Sequence, residues 1–206
     1  MVAIVDYGVG NLFSLCSSLS SIGVDAKVTA DPAELHAAER LILPGVGAFA
    51  DAAEKLRSTG LDAVVKAEAV AGKPLLGVCL GMQLLFEKSY EYGEHPGLGL
   101  LRGSVVPMAG RIPPELKIPH IGWNALHICR ESRLLRHVRS GEFVYFVHSY
   151  YAADCADSVV ATAEYGAELT AAVELGNVMG CQFHPEKSGG VGLNILRAFC
   201  GKEAAE

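Results

Sequence analysis

The chain has 206 residues, enough for one large domain and short for two, so a single domain spanning 1–206 is expected. Half of the residues are apolar and 19% are charged, which excludes a disordered chain, and the net charge of -6 comes without a basic run, which argues against a nucleic-acid surface. No apolar run approaches the roughly 18 residues of a membrane helix, the amino-terminal apolar stretch stops at Asp6, and six widely spaced cysteines form no C-x-x-C pair. No membrane segment, secretory leader, disulfide framework or zinc site is therefore expected, and the reducing cytoplasm is the expected compartment.

The first strand is expected at Val2–Val5, where β-branched residues end in Asp6-Tyr-Gly8-Val-Gly10. From Asn11, a candidate N-cap, Leu12, Leu15, Cys16, Leu19 and Ile22 recur at helical spacing until Gly23. Asp31-Pro-Ala-Glu34 has the form of a capping box and predicts a short helix before a strand at residues 41–43. Helices are predicted over 49–58 and 61–71, a strand at 74–76, and a further helix over 82–88 after residues 77–81. Beyond Tyr90 short strands are predicted at 104–108, 125–128, 143–151, 159–164, 169–174 and 178–183, and a closing helix over 191–200. The alternation in the first half predicts an α/β fold. Its central sheet should be mixed and mainly parallel, flanked by helices, with an antiparallel extension from the second half. Asp6, Pro44 and Cys79 all fall at the carboxyl ends of predicted strands, where α/β folds place their sites.

Cys79 lies between two glycines in Gly77-Val-Cys79-Leu-Gly81 at a predicted strand-to-helix junction. Small flanking residues permit the strained turn of a nucleophile elbow, and the following helix favours a thiolate. A buried cysteine in a tight turn would fit this motif alone equally well. A partner is available in Gln182-Phe-His184-Pro-Glu186-Lys-Ser188, where an extended chain would project His184 and Glu186 to the same side. The carboxylate would then orient the imidazole and the imidazole would activate the thiol. Pro44-Gly45-Val46-Gly47 follows a strand end, so that the Leu80 N–H and one from the Val46-Gly47 loop are candidates for an oxyanion hole. The remaining histidines, His36, His95, His127 and His137, have no comparable setting and read as surface or supporting residues. The Asp6 to Asn11 segment lacks the third glycine of a dinucleotide fingerprint, with Phe13 in its place, and reads as a turn.

The elbow extended to Gln83, the Pro-Gly-Val-Gly loop and the His-Pro-Glu segment resemble the triad-type (class I) glutamine amidotransferases. With Pro119-His-Ile-Gly-Trp-Asn124 and Phe146-Val-His-Ser-Tyr-Tyr151 added, the chain resembles, within them, the glutaminase subunits of imidazole glycerol phosphate synthase. These motifs run through nearly the whole chain. Ile121, where many members carry methionine, and Gly189-Gly190 are small departures away from the triad.

The resemblance implies a Cys79, His184 and Glu186 triad that releases ammonia from glutamine, with Val46, Gly47 and Leu80 as oxyanion contributors. It places Gly45, Gln83, His148, Ser149 and Tyr150 at the substrate, and Asn11, Trp123, Asn124 and Lys187 at a subunit interface. The implied partner is a (β/α)₈ barrel cyclase forming a heterodimer with the chain. That cyclase uses the ammonia to make imidazole glycerol phosphate and an aminoimidazole carboxamide ribotide in histidine biosynthesis. No metal or organic cofactor is implied. The alternatives are a glutaminase for a pyridoxal phosphate or anthranilate synthase, which would not be expected to share the His120 and Phe146 segments, and a redox-sensing protein of the same fold.

Overall fold

The computed structural model describes residues 1–204. Its first half alternates strand and helix, with one strand, β2, beyond those the sequence predicts: β1 (Val2–Val5), α1 (Leu12–Ser21), β2 (Ala26–Thr29), α2 (Pro32–Ala37), β3 (Arg40–Leu43), α3 (Phe49–Ser58), α4 (Leu61–Val70), β4 (Leu75–Val78) and α5 (Leu80–Leu84). The second half is mostly strand: β5 (Phe86–Ser89), β6 (His95–Pro96), β7 (Leu101–Pro107), β8 (His120–Ala125), β9 (His127–Ile128), β10 (Phe143–His148) and β11 (Tyr150–Ala153). It continues with β12 (Val159–Glu164), β13 (Glu168–Leu175) and β14 (Val178–Cys181), a 3₁₀ turn at Pro185–Lys187, and α6 (Gly189–Phe199).

Eight strands form one sheet in the order β2-β1-β3-β4-β14-β13-β12-β9. The first five are parallel, and the remaining pairings, from β14 onward, are antiparallel. β4 and β14 are buried at all four positions, as strands covered on both faces must be. Two apolar clusters, one containing Leu43, Phe49 and Phe86 and the other Ile42, Phe183 and Phe199, cover the two faces. Two smaller sheets, β11-β7-β5-β6 and the ribbon β10-β8, bring Pro107, Val147, His148 and Tyr150 to the cavity that Cys79 also lines. Among the described residues no helix is long and apolar enough to cross a membrane.

Five local expectations are corrected. The helix predicted over 82–88 ends at Leu84, because the carbonyls of Leu84, Leu85 and Phe86 accept the N–H groups of Leu98, Leu100 and Gly99 instead of continuing an α-helical ladder. Phe86 is thereby buried in a strand. The strand predicted over 143–151 breaks at Ser149, whose carbonyl accepts from Met108 N, so that β10 pairs with β8 while β11 pairs with β7. The strand predicted at 125–128 is likewise two: β8 begins earlier, at His120, and buried Leu126 separates it from β9. At Asn11 the helix start is correct, yet the side chain makes no capping bond. The capping box at Asp31 is half-formed: Asp31 caps Ala33 N at 2.9 Å, while Glu34 pairs with Lys27 at 2.6 Å.

Candidate active site

Cys79 follows β4 with φ 54° and ψ -112°, a conformation that costs a non-glycine residue on the order of 1–3 kcal/mol and persists only where the surroundings impose it. The imposition comes from both sides. Cys79 N donates to Cys181 O on β14 at 2.8 Å, and α5 then crosses so close to the sheet that a Cβ on Gly81 would lie 1.9 Å from Leu43 O. Only glycine fits there. The thiol therefore stands at the head of α5, where the first-turn N–H groups, including that of Leu80, have no partner within the helix.

The neighbouring parallel strand β14 delivers His184 to the same edge. Pro185–Lys187 does not stay extended as the sequence suggested; it forms a 3₁₀ turn that folds Glu186 back, and Glu186 Oε1 accepts from His184 Nδ1 at 2.8 Å. Both side chains are at most 3% exposed. Ser188, which sequence reasoning left without a role, fastens this turn: its hydroxyl donates to His184 O at 2.6 Å and accepts from Tyr145 N at 3.0 Å. Burial pushes the His184 imidazole towards the neutral form, but interaction with Cys79 and Glu186 outweighs it and raises the pKa to about 10. With Nδ1 committed to the carboxylate, Nε2 is the nitrogen available to the sulfur. Glu186 Oε2 is buried without a partner among the described residues.

Cys79 and His184 open into a cavity of about 590 Å³. Val46, Gly47, Leu80, Gln83, His148, Ser149 and Tyr150 all line it, so these expected residues converge on one space. Gly45 instead lies buried beneath the loop, where a Cβ would come within 2.7 Å of Gly81 N. The loop is held at both ends, by Tyr7 OH donating to Pro44 O at 2.6 Å and by Phe49 N donating to Glu91 Oε2 at 2.7 Å. Val46 and Gly47 between these ties are exposed, and Gly47 has φ 93°.

His148 is buried and neutral. Burial lowers its pKa to about 4, with His120 and His184 adding to the effect and the Tyr150 backbone bond opposing it. His148 lies opposite His120 in the β8–β10 register, and the rings hydrogen-bond at 3.1 Å. Sequence reasoning missed this pair.

Of the residues expected at an interface, Trp123 is 55% exposed and packs edge-on against Tyr145, over which the Lys187 ammonium also sits, 5.8 Å from the ring centroid. With exposed Ile121 and Phe143 they give the β8–β10 ribbon an apolar outer face beside the cavity. Asn124 is different: its amide donates to Glu164 O at 2.8 Å and its oxygen accepts from Ala125 N at 2.8 Å, so both ends of its side chain are engaged within the chain. Asn11 is half-buried and its side chain is free of capping duty.

The family model for glutamine amidotransferase class-I matches residues 3–202. The chain belongs to this family. Proteins called imidazole glycerol phosphate synthase subunit HisH are 50% identical to it in Caldanaerobacter subterraneus subsp. tengcongensis, over 200 residues and 97% of each chain, and in Methanothermobacter thermautotrophicus, over 199 residues and again 97% of each. The Bacillus licheniformis protein of the same name is 50% identical over 97% of this chain and 95% of its own. Solved structures share the fold at lower identity. A crystal structure of a glutamine amidotransferase superposes with a TM-score of 0.75 at 21% identity, covering 97% of this chain and all of the other. The structure of PurLQS from Thermotoga maritima gives 0.75 at 22%, covering 97% of each chain. At full-length identity near one half, this class-I glutamine amidotransferase falls within the HisH group, which sets aside the other synthases and the redox sensor as readings.

Proposed function

We propose that the chain, acting as one domain, is the glutaminase subunit of an imidazole glycerol phosphate synthase and works through Cys79, His184 and Glu186. The observation that carries this reading is the buried 2.8 Å contact between His184 and Glu186 beside a cysteine forced into an elbow. The Cys79 sulfur attacks the glutamine carboxamide carbon, and the tetrahedral oxyanion is met by the Leu80 N–H and by the Val46-Gly47 segment. His184 Nε2 passes a proton to the leaving nitrogen, and ammonia departs. Water activated by the same nitrogen then cleaves the thioester to glutamate.

Gln83 supports the choice of substrate. Its Nε2 already donates to Tyr150 O at 3.1 Å and to Gln182 Oε1 at 3.0 Å, so the group it turns to the cavity is its oxygen, an acceptor suited to an N–H of glutamine. Ser149 and Tyr150 line the same cavity.

The apolar ribbon face carrying Ile121, Trp123 and Phe143, with Lys187 at the cavity edge, is the surface offered to a (β/α)₈ barrel cyclase. Ammonia released there would be used within the heterodimer for imidazole glycerol phosphate and an aminoimidazole carboxamide ribotide, in the cytoplasm. The test is to purify the chain with the cyclase and compare synthesis from glutamine with synthesis from ammonium. Cys79→Ala is expected to abolish the first and leave the second intact. Loss of both in a folded complex would refute the division of labour.

A further inference from the structure

Gln182 is fully buried between Cys181 and Phe183, and its Nε2 lies 3.7 Å from Cys79 Sγ. The two ends of a carboxamide are alike in shape, so the group facing the sulfur must be decided from neighbours. The Tyr150 carbonyl can only accept, so the end of Gln83 lying 3.1 Å from it is the NH₂ group. The same NH₂ is 3.0 Å from the end of Gln182 turned towards Gln83, which must therefore be the oxygen. With its oxygen taken, Gln182 has only N–H to offer the sulfur.

The anchor of this chain is itself fixed. His148 Nδ1 is 2.9 Å from the same Tyr150 carbonyl and must be its protonated nitrogen, which leaves His148 Nε2 to accept from His120 Nδ1. Every hydrogen bond from the histidine pair to the sulfur thus has one allowed direction, and Gln83 and Gln182 are both buried. The other ionisable groups near the sulfur are engaged elsewhere or already counted. Tyr7 OH donates to Pro44 O, the Cys181 thiol faces Gly77 O at 3.9 Å, and Glu186 acts through His184.

We propose that Gln182 is a further catalytic residue, donating an N–H to the Cys79 sulfur and holding the thiolate for attack, with Gln83 as the positioning residue that fixes its direction. This rests on the assignment of Cys79 as nucleophile. A hydrogen bond to a charged acceptor is worth more than one to a neutral thiol, so the donor favours the thiolate by roughly 10- to 100-fold. A stabilised thiolate is also a weaker nucleophile, with a Brønsted slope of about 0.4–0.5, so roughly half of that gain on a logarithmic scale survives as rate. The net benefit is about 3- to 10-fold at the sulfur. In turnover it is larger, because the donor also fixes the direction of attack.

Two near-isosteres separate donation from packing. Gln182→Met keeps the volume and removes the donor, and Gln182→Glu keeps the acceptor for Gln83 but turns an oxygen towards the sulfur. In the complex with the cyclase, each variant is expected to alkylate Cys79 with iodoacetamide about 3- to 10-fold more slowly at pH 7.5 and to lose at least about 10-fold in kcat. KM for glutamine should stay within about threefold and ammonium-dependent synthesis should be retained. A purely structural role would lower ammonium-dependent synthesis or glutamine binding along with kcat, and that result would overturn the proposal. So would wild-type alkylation and kcat in a folded Gln182→Met. Should both variants fail to fold, the unmutated protein decides: the Gln182 amide resonances of nitrogen-15-labelled protein must shift when Cys79 is alkylated, and unmoved resonances would overturn the donor. Cys79→Ala run in parallel keeps the two assignments apart. If it retains glutamine turnover, the nucleophile is wrong; if it is inactive while Gln182→Met is normal, only the donor is wrong.

Discussion

Replacing Glu186 by glutamine keeps the shape of the buried pair and removes its charge. The carboxylate sits 2.8 Å from His184 Nδ1, with both side chains at most 3% exposed. Two unit charges about 4 Å apart are worth about 4 kcal/mol at an effective dielectric near 20, and the surviving hydrogen bond returns about 1 kcal/mol. The imidazolium formed as Cys79 is deprotonated thus loses about 3 kcal/mol, on the order of 10²-fold in rate. The unpartnered Oε2 sets the upper limit. Nothing there holds the new carboxamide against rotation, and if its NH₂ turns to His184, Nδ1 must give up its proton and Nε2 must carry it. That tautomer cannot take a proton from Cys79. Inversion of this kind in a serine-protease triad costs about 10⁴-fold. Glu186→Gln is therefore expected to lower kcat for glutamate release in the complex by about 10²- to 10⁴-fold, with ammonium-dependent synthesis unchanged. A folded variant within threefold of wild type would show that Glu186 does not act on His184.

Lys187→Ala, at the edge of the cavity and over the Tyr145 ring, should weaken activation of glutaminase turnover by the cyclase while leaving Cys79 alkylation in the free chain unchanged; equal activation would remove Lys187 from the docking surface. Stability should depend on pH through His184. Its pKa is raised in the folded state to about 10, so its contribution is complete below about 6.5 and is lost as pH climbs through about 10. Tm of the wild type should fall across that alkaline window more than Tm of His184→Asn, and parallel curves would refute the linkage.

The parts of the site that were legible in the sequence are those set by local sterics. Gly77 and Gly81 around Cys79 announce a backbone approach that any Cβ would block, and His-Pro-Glu is short enough that either an extended chain or a 3₁₀ turn brings the two side chains together. The misread parts depend on partners far along the chain. Residues 85–88 look helical by periodicity but leave the helix, with 86–88 in β5, because residues 98–100 take the carbonyls of residues 84–86. Residues 143–151 look like one strand and are divided because β7 and β8 claim the two halves. The His120–His148 pair exists only in the β8–β10 register, and the direction of the Gln182 amide depends on Gln83, 99 residues away. Composition and spacing carry no record of such pairings.

Local sterics also decide the behaviour of the proposed oxyanion loop. Its ends are tied by Tyr7 and Glu91, so a change in N–H direction is confined to the exposed Val46-Gly47 peptide, which lies along the cavity that Lys187 also lines. A docked cyclase covering the Trp123 face would reach this peptide without disturbing Cys79 or His184. Gly47 holds φ 93°, and a Cβ there meets no atom within 4 Å, so Gly47→Ala alters backbone preference and little else. A side chain at positive φ costs on the order of 1–3 kcal/mol, enough to move the peptide out of this conformation, and loss of an oxyanion donor costs about 10²-fold or more. Gly47→Ala should change cyclase-activated turnover by at least about tenfold with no change in Cys79 alkylation, because the nucleophile and its base are built on other elements. If turnover and its activation by the cyclase both match wild type, the loop is not where the two subunits communicate. If alkylation changes in step with turnover, the substitution has reached the elbow, and the separation of nucleophile from oxyanion loop is wrong.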